Sequence, residues 1–414
     1  MQNSIASLVK RYADMSIDIC RKLVRCPSED PNGDTRMIAS YIHDFFTEHG
    51  IENEIISPHP EKPNVVATIK GSRPGKHLIF NGHIDTFPVG DLAKWNVDPF
   101  GGDVKGGKLY GRGAADMKGG IAASMTAALI LSKLKEALPG TVSFTCVSDE
   151  EVNGPWGTNY LLKRYPALYG DALINGEPSS TEHIRIGEKG IFQVKITVNA
   201  DGGHGAYSGL KINAITEMLY ILESLLSFEN ETPPIDEAVR LFMERARASY
   251  DRVLCDGAMD KALRPTLNIG TIAGGIMVNM VPECCQAELD FRFPPGATCR
   301  FIEQWLDKKI RRHPNADYKI IKRWDAHITS PEEPLVRIAK ETALEVSAHP
   351  VFENYSLGGT EAVLWRAKGI PAITYGPNHH NMGSPDEYVF TEELPLVSAV
   401  HAMTAWRYLT YQNN

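Results

Sequence analysis

The chain has 414 residues, 43% of them hydrophobic and 23% charged, which is too long for one ordinary core and predicts a globular protein of two domains. Its net charge of −8 comes from mixed signs spread along the sequence. No Lys/Arg tract is present to neutralise phosphates or dock on an anionic bilayer, which argues against nucleic-acid and membrane partners.

The first segment, MQNSIASLVKRYADMSIDICRKLV, sets apolar residues at helical spacing among Lys, Arg and Asp. That pattern predicts an amphipathic helix in place of a signal-peptide core or membrane span, and a cytoplasmic protein. Seven cysteines (Cys20, Cys26, Cys146, Cys255, Cys284, Cys285, Cys299) form no C-x-x-C pair, and their odd number speaks against a disulfide framework. Residues 64–70, 77–81, 141–147 and 172–175 read as short buried strands, and Met117 to Lys135 as a long apolar helix entered through the glycines of DMKGG. Strand and helix alternating in this way is the pattern of an α/β fold.

From about Gly187 the pattern changes. GIFQVKITVNA alternates as a half-exposed strand, KINAITEMLYILESLLSF is an amphipathic helix, and TLNIGTIAGG and QAELDFRF alternate again. This order predicts a small antiparallel sheet with helices on one face. Residues from about Glu229 to Pro265 form a polar, partly helical elaboration of it. After about Arg300 the α/β pattern resumes with YKIIKRW, a helix near Leu335 to Ser347, the strand PAITYGP and a last helix from Glu392 to Leu409. The expected organisation is a larger mixed-sheet α/β domain made of residues 1–186 and 301–414, with a smaller α+β domain, residues 187–300, inserted into it.

Chemistry-bearing residues cluster where strands end or helices begin, the place where open α/β sheets bind ligands. In NGHIDT, His83 can bind a divalent metal through one ring nitrogen while Asp85, two residues on, accepts a hydrogen bond from the other. Asp116 in GRGAADMKGG stands at the start of the long helix, where a carboxylate is also an ordinary dipole partner. Glu150 and Glu151 close an apolar strand side by side, an arrangement costly to bury without a cation. One of the pair can ligate metal and the other take a proton from water. Glu177 in NGEPSS again ends an apolar strand with a carboxylate. Each residue alone has a plain structural explanation; their joint occurrence points to a metal-dependent hydrolase.

With NGHIDT, GRGAADMKGG, SDEE and NGEPS stand GGHGAYSGLKINAI, NMVPECCQAELDFRF, LGGTEA and YGPNHHNMGSPDEYV. Through these motifs nearly the whole chain resembles the dinuclear zinc peptidase and deacylase family that includes succinyl-diaminopimelate desuccinylase, acetylornithine deacetylase, aminoacylase and glutamate carboxypeptidase. The resemblance implies that His83 and Glu177 bind one metal, that Glu151 binds the other, and that Asp116 bridges both. It also implies that Asp85 orients His83 and that Glu150 is the general base. It makes the smaller domain a dimerisation domain whose His204 reaches the partner subunit's active site and stabilises an oxyanion. Asn279, Arg292, Gly359 and Thr360 match positions that hold a substrate carboxylate or acyl oxygen; Arg292 and Gly359 also have ordinary readings as an ion pair and a loop glycine.

One departure stands out. The family places a metal-binding histidine four residues before the glutamate of its closing P-[DN]-E motif, where this chain has Gly383. His379 and His380 lie just upstream, and His380 is the expected substitute. In LGGTEA, Glu361 also stands where many members of the family have Asp. The leading expectation is hydrolysis of the amide of an N-acyl amino acid or small peptide bearing a carboxylate. The enzyme would be a homodimer or higher oligomer using one or two divalent ions, zinc first and manganese or cobalt as alternatives. The alternative is a metal-dependent aminohydrolase that releases ammonia from a small, aromatic or other, amino acid, with a mononuclear site. A third reading is a binding protein without turnover.

Overall fold

The computed structural model describes residues 2–31 and 33–411. Among them, Asn64–Lys70, Arg73–His83, Pro139–Val147 and Ala172–Asn175 occupy the apolar runs of the sequence and join a mixed sheet of eight strands. Its order is Glu52–Ile56, Asn64–Lys70, Pro139–Val147, Arg73–His83, Ala172–Asn175, Ala372–Thr374, His183–Glu188 and Phe352–Ser356. The middle is parallel: Arg73–His83 pairs with Pro139–Val147 on one side and Ala172–Asn175 on the other, and Ala372–Thr374 follows in the same direction. Parallel strands covered on both faces need continuous apolar runs, and these have them. Their carboxyl ends release His83, the loop with Glu150 and Glu151, and Glu177 at one end of the sheet.

Helix Gly119–Ser132 is apolar all round because it packs on the sheet and on helices Met15–Val24 and Glu393–Thr410. Gly120 permits its approach, since a Cβ there would lie 1.8 Å from the carbonyl oxygen of Gly176. The helix starts later than the apolar run suggests, because Asp116 (φ −118°, ψ 97°) and Met117 (φ −127°, ψ 32°) leave the helical region. On the other sheet face, Ile79, Val147 and Leu173 pack with Leu161, Leu162, Leu168 and Trp365. The expected first helix is two, Gln2–Tyr12 and Met15–Val24. Among the described residues no helix is long and apolar enough to cross a membrane.

The chain divides into two compact units. One holds residues up to Ile186, Thr329–Asn354 and residues from Thr360 on; the other holds Gly187–Ile328 and Tyr355–Gly359. The expected boundary at residue 300 is therefore corrected to 328. YKIIKRW does not resume the α/β pattern: it lies in strand Ala316–Trp324, which pairs antiparallel with Gly190–Asn199 and completes a four-stranded sheet with Cys284–Phe293 and Thr266–Gly274. Along Cys284–Phe293 every second side chain is buried. The inward set, Cys285, Ala287, Leu289, Phe291 and Phe293, packs with residues of helices Ala214–Leu226 and Cys299–Ile310, so the latter helix also belongs to this unit. Tyr355–Gly359 joins it through Tyr355, whose carbonyl accepts the Tyr250 hydroxyl (3.1 Å) and whose hydroxyl donates to the Ala262 carbonyl (2.9 Å).

Candidate metal centre

His83 ends its strand with its side chain 1% exposed. Its Nδ1 lies 2.9 Å from the backbone carbonyl of Asp85, an acceptor only, so Nδ1 carries the proton of the neutral ring. That leaves the Nε2 lone pair facing Asp116 Oδ1 at 3.1 Å and Glu177 Oε1 at 3.3 Å. A lone pair set against two buried carboxylates is repulsive unless a proton or a metal ion stands between them. Burial alone would depress the His83 pKa, yet Glu177 and Asp116 drive it well above the usual imidazole value.

The carboxylates show the same need for a cation. Burial, then the Asp116 charge, pushes Glu151 up to about 10 and Glu177 up to about 8. Burial works on Asp116 too, but its hydrogen bond to His83 prevails and holds it below the ordinary range. Glu151 Oε1 and Asp85 Oδ1 are buried without a hydrogen-bond partner. Ligand atoms of His83, Asp116 and Glu151 lie within 4.8 Å of one another, and so do those of His83, Glu150 and Glu177. One imidazole nitrogen among several carboxylate oxygens, some left without a donor, fits a divalent metal ion and little else.

Local structure explains the convergence. Asp149, at φ 60°, takes the left-handed conformation that Asp tolerates, and its carboxylate accepts the N–H groups of Trp156 (2.9 Å) and Gly157 (2.8 Å). This turn presents Glu150 and Glu151. Glu177 is held by its own N–H, which donates to Asn175 Oδ1 (3.0 Å). Asp85 differs from expectation: its carbonyl orients His83, while its carboxylate is 3.8 Å from Nδ1 and accepts the Glu151 N–H (2.9 Å). Behind it Asp30 helps to raise the Asp85 pKa and is paired with buried Lys62.

His380 does not join the ligand groups. Its ring stacks on Tyr388 (4.6 Å, 2°) and meets Phe390 edge-on (5.0 Å), with Lys108 4.2 Å above Tyr388. His379 is absent from those groups too; burial, then Arg185, lowers its pKa to about 4, and Asp116 is among the charges acting on it. Gly383 has φ +72°, and its carbonyl accepts Arg112 Nη2 (3.2 Å).

The remaining candidates, apart from Thr360, lie in the second unit. There His204 pairs with Met280, and the N–H of Gly205 donates to the Asn279 carbonyl (2.7 Å), so His204 and Asn279 are neighbours. His204 is exposed, and its Nδ1 accepts the Ala206 N–H (3.1 Å), which leaves Nε2–H of the neutral ring as an outward donor. Arg292 already grips a carboxylate, with Nε 3.0 and 2.9 Å from the two oxygens of Asp290. Gly359 packs under Trp324, 2.8 Å from where a Cβ would stand. Thr360, in the first unit, is buried and accepts the Ala362 N–H (3.3 Å).

Sequence reasoning named Glu361 only as a departure from the family's aspartate and missed Arg112 and Glu387. Glu361 has Oε2 buried without a partner and is pushed to about 8 by burial and then by Glu150. It is hydrogen-bonded to Thr158, which accepts from Asn81 (3.0 Å), which accepts in turn from Asn175 (3.2 Å). Arg112 and Glu387 form a buried ion pair beside Asp116. Only GRG, PDE and TEA in the motifs hint at them.

Residues 79–407 match the family described as Peptidase family M20/M25/M40. A succinyl-diaminopimelate desuccinylase of Cereibacter sphaeroides is 27% identical over 402 residues, 94% of this chain and 97% of that protein. In fold, the chain is similar to an M20 family metallo-carboxypeptidase from Sulfolobus solfataricus (TM-score 0.80, 19% identity, 96% of this chain and 99% of that one). It is also similar to a dinuclear metal binding peptidase of the M20 family from Bacillus subtilis (TM-score 0.70, 17% identity, 97% and 99%). Neither the family nor these relatives favour the ammonia-releasing alternative or a protein without turnover. The chain belongs to peptidase family M20/M25/M40 and is a metal-dependent hydrolase of amide bonds.

Proposed function

We propose that the substrate is an N-acyl amino acid or small peptide with a free carboxylate, and that Glu150 is the general base of its hydrolysis. The observation that carries this is the buried His83 Nε2 lone pair facing Asp116 and Glu177, with Glu150 gathered into the same cluster. The desuccinylase relative supports an acylated amino acid. His83, Asp116, Glu151 and Glu177 are the residues that would hold the metal, with Asp116 between two ions where two are bound; His380, stacked on Tyr388, is not among them. A divalent ion in this site, zinc first and manganese or cobalt next, supplies Lewis-acid polarisation of the scissile carbonyl and lowers the pKa of water.

The protein's own groups do the rest. Asp85 fixes the His83 tautomer through its carbonyl and the Glu151 backbone through its carboxylate. Glu150 takes the proton of the attacking water and delivers it to the leaving amine. His204 donates Nε2–H to the developing oxyanion, acting from a second copy of the chain in a homodimer. Leu210 (83% exposed), Ile276 (85%) and Val278, close in sequence to His204 and Met280, support such an association, because exposed aliphatic side chains of this kind mark contact surfaces. Arg292 would hold a substrate carboxylate or acyl oxygen, sharing its guanidinium with Asp290; for Asn279, Gly359 and Thr360 the same role rests on the family motifs alone. The seven free cysteines suit a reducing, cytoplasmic compartment.

The test is Glu150→Gln, assayed on a panel of N-acyl amino acids and dipeptides with metal content measured in parallel. The variant should keep its metal and lose nearly all turnover; native-like turnover would remove Glu150 as the base.

A further inference from the structure

Asp116 is presented by an irregular stretch of backbone just before the long helix. Because Asp116 and Met117 leave the helical region, the amides just before the long helix cannot be satisfied by regular helical hydrogen bonding. Glu387 supplies what they need. Its Oε1 accepts the N–H groups of both Ala115 (2.9 Å) and Asp116 (3.1 Å), and its Oε2 pairs with Arg112 Nη1. Both side chains are 1% exposed. Arg112 also donates Nη2 to the Gly383 carbonyl (3.2 Å) and lies against the Trp95 ring (5.2 Å), while the Gly111 N–H donates to the Glu387 carbonyl (2.9 Å).

A buried ion pair adds little net stability, because desolvating both charges offsets much of their attraction. Here its geometry has a definite product. One charged oxygen fixes two successive amides, and the second of them belongs to the residue whose carboxylate stands 3.1 Å from His83 Nε2. Without Glu387 those amides would be buried donors with no acceptor, and the turn would rearrange to find one. We propose that Glu387, held by Arg112, is a positioning residue that presents the Asp116 carboxylate to the metal. This rests on the reading of Asp116 as a metal ligand.

The experiment titrates metal-free protein with zinc alone and with manganese alone, by calorimetry or chelator competition, and records thermal unfolding of the same metal-free samples. Asp116→Asn tests the underlying reading: if it binds metal as tightly as the native chain, Asp116 is not a ligand and the proposal falls with it. In Arg112→Met/Glu387→Leu, apolar groups of similar size replace the pair. This double variant should fold without metal, at an unfolding temperature lowered by the two amides left without their acceptor, and bind metal roughly 10- to 100-fold more weakly, the usual effect of losing a group that orients a ligand. A folded double variant with native affinity overturns the proposal. If the double variant does not fold, Glu387→Gln decides: its amide oxygen can still accept the two N–H groups, but its NH2 faces the Arg112 guanidinium, donor against donor, so Arg112 no longer holds the side chain and affinity should fall by about tenfold. Unchanged affinity in Glu387→Gln overturns the proposal equally.

Discussion

Replacing Gly383 by histidine would restore the residue that the family pattern places there, and motif logic alone would expect a metal ligand to be regained. The structure predicts otherwise. Gly383 sits at φ +72°, in the left-handed region, and a non-glycine residue there costs about 1–2 kcal/mol. A Cβ would point at the Phe87 ring, whose nearest atoms are 3.7 and 4.0 Å away, an ordinary contact with no clash to add. The same Cβ direction aims the imidazole at Phe87. Gly383→His should therefore lower stability by about 1–2 kcal/mol, or roughly 2–8 °C in unfolding temperature for a unit of this size. It should bind no more metal than the native chain. Native mass spectrometry of metal-titrated protein, with thermal unfolding of the metal-free forms, gives both readings. An additional tightly held ion, or an undiminished unfolding temperature, would refute the reasoning.

Chelating the metal should make stability depend on pH. The raised pKa values of Glu151 (about 10) and Glu177 (about 8) mean that the metal-free native state keeps protons that the unfolded chain releases above the ordinary Glu value of 4.5. Their contribution is complete below about pH 4.5 and lost as pH rises through 8 and then 10. His83, also raised, acts in the same sense, so the unfolding temperature should fall from pH 5 to pH 9 with chelator and much less with zinc; a flat profile with chelator would contradict this. Gly120→Ala should be destabilising at or beyond the upper end of the roughly 1–3 kcal/mol typical of overpacking, because its methyl would meet the Gly176 carbonyl at 1.8 Å. Denaturant unfolding measures it, and a cost below about 1 kcal/mol would show that the helix shifts freely.

What the sequence revealed was what lies close along the chain. Apolar runs ending in His83, Glu150, Glu151 and Glu177 were legible because a parallel strand and the residues after it share one short segment. The role of Asp85 was half legible: H-x-D puts it near the ring, but only the folded turn decides that its carbonyl and not its carboxylate meets Nδ1. Partnerships over long separations were hidden. Arg112 and Glu387 are 275 residues apart, and nothing local in GRG or PDE announces that they meet. His380 was misread although its stacking partner Tyr388 lies nearby in sequence, because only the fold turns its ring onto Tyr388, which lies beneath Lys108. The boundary at 300 failed because YKIIKRW alternates equally well as an edge strand of either sheet, and pairing with Gly190–Asn199 decided the matter.

Strand Ala372–Thr374 lies inside the large sheet, between Ala172–Asn175 and His183–Glu188, although it comes late in the chain. During synthesis the first half of that sheet must therefore wait, with the edge of Ala172–Asn175 unpaired, until Ala372–Thr374 has emerged from the ribosome. The second unit is nearly contiguous, Gly187–Ile328, and most of it is complete well before then. A ribosome that stalls after residue 330 would release a chain whose second unit is almost whole and whose hydrolase half carries an open strand edge, a substrate for chaperones or aggregation and not for catalysis.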